Sequence, residues 1–286
     1  MGRIITAAVA LWVGLAVLAG AGIAFIAPAA YEPLDSPTRT DASIPIARGE
    51  GALPRFEADE DFGEVAVYDV LADGSLGPAA SGVAGEVWNL WVRMVGADVA
   101  GETIIRYRAG DAPDSDTLAY VYQDTNPQYW SLAVNLATAD DPQLLVATLI
   151  HEYAHVISFD EGGFDRTDTS CDTLELFEGC ANEGSYLYQF YDAFWAGYGD
   201  ALDVENVDED AAYEFYLANE EDFVSDYAAT NLGEDFAESF MTFVIEDVPE
   251  GDTVVAQKLQ YFTDYSELVD LREHIRTEFA DELGLR

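Results

Sequence analysis

The sequence predicts an α+β domain in which strands come first and helices follow, behind an apolar leader and an extended spacer. Three observations carry this expectation. The runs Ile104 to Tyr107, Leu118 to Tyr122 and Ser131 to Leu136 read as strands, separated by turns at Ala109-Gly110-Asp111 and Asn126-Pro127. Apolar residues then recur at helical spacing from Leu144 to Ile157 and again from Phe236 to Val244. Half of the 286 residues are hydrophobic and 13% are aromatic, enough to pack a core despite 55 acidic against 12 basic side chains.

Residues 1–30 open with Met1-Gly2-Arg3 and continue as a run from Ile4 to Ile26, 23 positions without a charge. Signal-peptide cores are typically about 7 to 15 residues and membrane-spanning helices about 20. The length therefore favours an N-terminal membrane anchor, while Ala19-Gly20-Ala21 and Ala27-Pro28-Ala29 offer the small-x-small sites of a cleaved signal peptide. Arg3 is the only cation before Arg39, which puts the remainder of the chain on the extracytoplasmic side. Residues 31–58 read as a Pro-rich linker, because Pro28, Pro33, Pro37, Pro45 and Pro54 are half of the ten prolines. Residues 59–286 are left to form the folded domain.

A net charge of -43 repels phosphate backbones and leaves too few cations for counterion release, which excludes nucleic acid as a partner. Of the cations only Lys258 is a lysine. That balance fits a high-salt habitat, and it fits equally a secreted protein whose charge serves solubility.

Asp141 followed by Pro142 is a helix cap and a favoured first residue, and the helix they begin is expected to run to about Ser158. It carries two of the chain's three histidines in His151-Glu152-Tyr153-Ala154-His155, an HExxH motif. One turn apart on one face, the two imidazoles can converge on a zinc ion, and Glu152, about 100° round the helix, can serve as general base toward a water. A buried helix with two accidental histidines and a glutamate would carry desolvation costs that a metal removes. The third histidine, His274, falls in a charged C-terminal helix and is expected to be exposed.

Cys171 and Cys180 are the only cysteines. In an oxidising compartment they are expected to form a disulfide that pins a local loop, with buried thiols or metal ligation as the alternatives.

A catalytic zinc needs a third protein ligand and an open fourth position. One candidate is Glu161, ten positions after His151, where the longer metzincin pattern places its last ligand, but Ser158 stands where that pattern needs a turning glycine. The other is Glu234. Asn231 reads as an N-cap, so Glu234 falls in the first turn of a second helix, and Glu238 one turn later shares its face. One carboxylate can bind metal while the other accepts the free N–H of a ligating histidine. The eleven acids between residues 200 and 226 make a solvated face, and no EF-hand loop marks a calcium site.

The Glu234/Glu238 spacing resembles the Glu-x-x-x-Asp of thermolysin-like gluzincins, with Glu in place of Asp. The stretch from Tyr227 to Phe240 is similar to the second zinc-site motif of the anthrax lethal factor type of gluzincin, and more so to that of secreted bacterial zinc metallopeptidases. Cys171, Glu178-Gly179-Cys180, Ser185-Tyr186 and Phe194-Trp195 look like that secreted group as well, so the resemblance covers roughly residues 118–245. It implies a zincin-like fold with a small mixed sheet and a helical C-terminal part, with zinc held by His151, His155 and Glu234. It also implies that Tyr227 lies over the metal, where a phenol could hold an oxyanion or protonate a leaving amine. In such folds the last strand before the HExxH helix pairs with an extended peptide, and Trp130 to Leu136 is the candidate here. The expected function is an extracytoplasmic zinc metalloendopeptidase acting on a peptide or protein substrate, secreted or tethered to the membrane by its N-terminal segment. The alternative is a noncatalytic surface protein with a structural or relict zinc site.

Overall fold

The computed structural model describes residues 53–167 and 170–285. The leader and all of the linker before Leu53 lie outside the described residues, and among those described no helix is long and apolar enough to cross a membrane. The chain enters the fold through β1 (Arg55–Asp59), β2 (Gly63–Val70) and β3 (Leu76–Gly77). Thus β1 begins within the 31–58 stretch, which its prolines marked as a spacer, and it carries the charges Arg55, Glu57 and Asp59. Those charges are partnered within the sheet: Arg55 with Asp69, and Glu57 and Asp59 with Arg108 of the next strand but one.

Two helices, α1 (Gly82–Val95) and α2 (Ala97–Thr103), precede β4 (Ile104–Gly110), β5 (Ala119–Gln123) and β6 (Trp130–Asn135). These strands complete a mixed sheet of order β1-β2-β4-β6-β5, with β3 added on β2; β4 and β6 are parallel and the other pairs antiparallel. Ala109 and Gly110 stay in β4 instead of turning, and Gly110 is needed because Phe62 occupies the space a β-carbon would take.

The expectation that Trp130 to Leu136 is an open edge is overturned. All six residues of β6 are buried, and the strand lies between β4 and β5. A strand covered on both faces reads as an unbroken buried run, so its sequence could not mark it as an edge. The edge on that side of the sheet is β5, every residue of which is half-buried.

After β6 come α3 (Pro142–Ser158), the small sheet of β7 (Phe164–Asp165), β8 (Glu175–Leu176) and β9 (Gly179–Ala181), and five further helices: α4 (Tyr186–Phe194), α5 (Glu209–Ala218), α6 (Leu232–Ile245), α7 (Val254–Tyr261) and α8 (Ser266–Glu278). Cys171 and Cys180 are joined in a disulfide that ties β9 to the loop ahead of β8, a bond that belongs to oxidising compartments.

The main core lies on one face of the large sheet, where Tyr107, Leu132 and Val134 meet Trp88 and Trp91 of α1, Leu149 and Ile150 of α3, and Phe236 and Phe240 of α6. A smaller cluster of Phe62, Val65, Val67 and Ala133 covers the other face. The C-terminal helix closes an exposed end: Arg272 donates to the carbonyl of Phe243, and Arg276 to those of Val244 and Ile245, so two guanidiniums take up carbonyls that the end of α6 leaves free.

Candidate metal centre

Helix α3 starts where its cap predicts: the Asp141 carboxylate accepts from the backbone N–H groups of Gln143 and Leu144, each at 3.1 Å, with Pro142 as first residue. From that start the helix carries Leu145, Leu149, Ile150 and Ala154 into the core, and the same register brings His151 and His155 to one side. Their Nε2 atoms face each other at 3.1 Å. Helix α6 crosses α3, capped by Asn231, whose side chain accepts from Glu234 N at 2.9 Å. Gly233 permits the close approach, since a β-carbon there would meet the Phe159 ring at 3.1 Å.

That crossing places Glu234 Oε2 at 3.1 Å from His151 Nε2 and 3.4 Å from His155 Nε2. Two nitrogens and one oxygen thus form a nearly equilateral triangle. A tetrahedral ion with bonds of about 2.0–2.1 Å spans ligand pairs of about 3.3–3.4 Å, close to these edges. Glu234 Oε2 is buried facing both imidazole nitrogens with no well-formed hydrogen bond of its own, and a cation would satisfy all three atoms at once. The group could therefore hold a metal ion, and it contains three residues, His151, His155 and Glu234. Glu161, the other candidate ligand, is exposed in a 3-10 turn and is not among them.

Behind the triangle, Glu238 Oε1 lies 2.9 Å from His151 Nδ1. A carboxylate can only accept there, so Nδ1 carries a proton and Nε2 is the ring atom that faces the triangle. Burial alone would draw the His151 pKa down, but Glu234 and Glu238 outweigh it and hold it well above the ordinary histidine value. In the same way burial pushes Glu234 up, and the two imidazoles more than reverse this, keeping its carboxyl below the usual carboxylate range. Both shifts show a site that draws in positive charge.

Glu152 is buried beside the triangle, close to the backbone of Val121 on the edge strand β5. Burial raises its pKa above the ordinary value, against the pull of the two histidines. Tyr227 stands in the 3-10 turn Tyr227–Ala229 with its ring centroid 5.9 Å from that of His151. Burial, then Glu234 and Glu152, push the phenol well above its usual value, so it remains a proton-bearing donor. His274 lies far off, exposed and bonded to the Arg93 carbonyl.

The spacing of residues did not disclose everything around the centre. Ser225 donates to Glu238 Oε2 at 2.7 Å and accepts from Ala228 N, and no sequence signal marked either contact. Lys258, the sole lysine, is fully buried with its ammonium 2.6 Å from Asp235, the neighbour of Glu234, and no sequence signal linked the two. Comparisons of the chain with protein families, with curated proteins and with solved structures return no match.

Proposed function

We propose that this protein is an extracytoplasmic zinc-dependent peptidase of gluzincin type. The observation that carries the reading is the convergence of His151 Nε2, His155 Nε2 and Glu234 Oε2 at mutual distances of 3.1 to 3.4 Å, with a buried carboxylate from the same HExxH helix beside them. Three protein ligands suit a catalytic zinc, which keeps a position open, better than a structural zinc, which closes all four. Zinc, when bound, supplies a Lewis acid that polarises a carbonyl and brings the pKa of a water toward about 7.

The chain's own groups divide the remaining work. His151, His155 and Glu234 hold the ion, and Glu238 keeps His151 in the tautomer that offers Nε2. Glu152, whose basicity burial has increased, takes the proton of the attacking water and returns it to the leaving amine. The Tyr227 phenol donates to the oxyanion that develops on the substrate carbonyl. An extended peptide pairing with the open edge of β5 would run past Glu152, which already touches that strand at Val121. The disulfide supports a location outside the cytoplasm, and the apolar run Ile4 to Ile26 would deliver the domain there as an anchor or a cleaved signal.

The test is incubation of the protein with a diverse peptide library, with added zinc and with chelator, read by mass spectrometry. Metal-dependent cleavage is expected. Stoichiometric zinc without any cleavage would favour the noncatalytic reading.

A further inference from the structure

We propose that Ser225 is a positioning residue of the metal centre, coupling the support of His151 to the turn that presents Tyr227. The inference rests on the metal-site part of the reading above and does not depend on peptide hydrolysis. A serine hydroxyl has one proton to give and lone pairs to accept with. Here both are used: Oγ accepts from Ala228 N at 3.0 Å and donates to Glu238 Oε2 at 2.7 Å. The other oxygen of the same carboxylate meets His151 Nδ1 at 2.9 Å. One continuous chain of hydrogen bonds therefore runs from the backbone of the Tyr227–Ala229 turn, through Ser225 and Glu238, to a ligating imidazole.

The geometry explains why the hydroxyl matters. A buried carboxylate with a single partner can rotate about its last bond, and the imidazole that it orients can rotate with it. With Oε1 on His151 and Oε2 on Ser225, the carboxylate plane is held from both sides, and it in turn holds the ring plane of His151. The Ser225 proton is committed to Glu238, because the Ala228 N–H already approaches the oxygen as a donor. Loss of the hydroxyl would leave Glu238 Oε2 short of a partner and release the turn that carries Tyr227 only two residues from its anchor. No other residue links the two parts of the site in this way among the hydrogen bonds of Glu238 in the described residues.

The experiment compares Ser225→Thr with Ser225→Val in the full chain. The two replacements have the same shape and differ in the hydroxyl, so any cost of the added methyl is common to both. Zinc affinity is measured by competition with a chromophoric chelator, and the ligand field is read from the visible spectrum of the cobalt-substituted protein. The expected result is affinity within about 2-fold of the parent for Ser225→Thr, and a loss of about 10-fold with an altered cobalt spectrum for Ser225→Val. In a Glu238→Ala background the Val replacement should cost nothing further, since the chain is already cut. Equal affinity and identical cobalt spectra for the Thr and Val variants would overturn the proposal, as would full additivity with Glu238→Ala. A parent that binds no zinc would instead overturn the metal-site reading itself.

Discussion

Replacing Lys258 with methionine tests how much the buried ion pair behind the candidate metal centre contributes to the stability of the fold. The ammonium lies 2.6 Å from Asp235 Oδ2, donates to the Asp222 carbonyl at 2.7 Å, and sits 3.9 Å from the centre of the Phe223 ring. Both charged side chains are wholly buried, and burial disfavours each charge, raising the pKa of Asp235 and lowering that of Lys258. Lys258→Met leaves Asp235 with only the Trp195 indole N–H at 2.7 Å and the Ser239 hydroxyl at 3.2 Å. Breaking a buried pair from one side costs about 3–5 kcal/mol. For a domain of this size each kcal/mol moves Tm by about 2–4 °C, so a fall of about 6–20 °C is expected. Thermal unfolding followed by circular dichroism measures it. The double variant Lys258→Met/Asp235→Leu should be more stable than the single one, because the stranded carboxylate is removed. A single variant within about 1 kcal/mol of the parent would refute the reasoning, since a buried uncompensated charge cannot be that inexpensive.

Four further outcomes are expected. Glu152→Gln should keep stoichiometric zinc and the fold while losing nearly all turnover, checked by elemental analysis beside a peptide assay, because it deletes proton acceptance and no ligand. Tyr227→Phe should leave zinc content unchanged and lower kcat by about 100-fold, measured under saturating substrate. Glu234→Ala should lose zinc on dialysis while Glu161→Ala retains it; the opposite result would transfer the third ligand to Glu161. The fourth concerns Asp59, whose pKa burial raises but the Tyr120 hydroxyl, the Phe62 N–H and Arg108 bring below its ordinary value of 3.8. A depressed folded pKa gives stability that is present above the unfolded value and lost as pH falls through the folded one. Denaturant unfolding from pH 7 down to pH 2 should therefore show a steeper loss below about pH 4 in the parent than in Asp59→Asn.

Much of the helical part was legible because helix signals are local. Asp141-Pro142 and Asn231 mark the starts of α3 and α6, and the structure begins both helices one residue later. The strands were harder, since pairing is decided by residues far away. Runs at residues 104, 118 and 131 matched β4, β5 and β6 to within a few positions, but their order in the sheet was hidden: β6 is interior because β4 pairs with it in parallel on one side and β5 antiparallel on the other. The alternation in β1 was masked by its charges, whose partners Asp69 and Arg108 lie in other strands. Nothing near those residues in sequence reveals that they are paired.

The same division between local and distant runs through the metal centre. Residues placed by a helical turn, His151 with His155 and Glu234 with Glu238, could be read as pairs because a repeat of about 3.6 residues sets them on one face. What no spacing could supply is the crossing of α3 and α6, made close by a glycine at 233, which converts two pairs into a triangle with 3.1 to 3.4 Å edges and a carboxylate behind it. The supports of that crossing are single residues from outside both helices. Lys258 of α7 grips the Asp222 carbonyl, five residues ahead of Tyr227, and the Asp235 carboxylate, next to Glu234, while Ser225 grips Glu238. Each contact spans 13 or more residues along the chain, so each depends on the finished fold. A candidate ligand set can thus be read from short-range periodicity, whereas the packing that holds those side chains in register is a property of the tertiary fold and was invisible until the helices were in place.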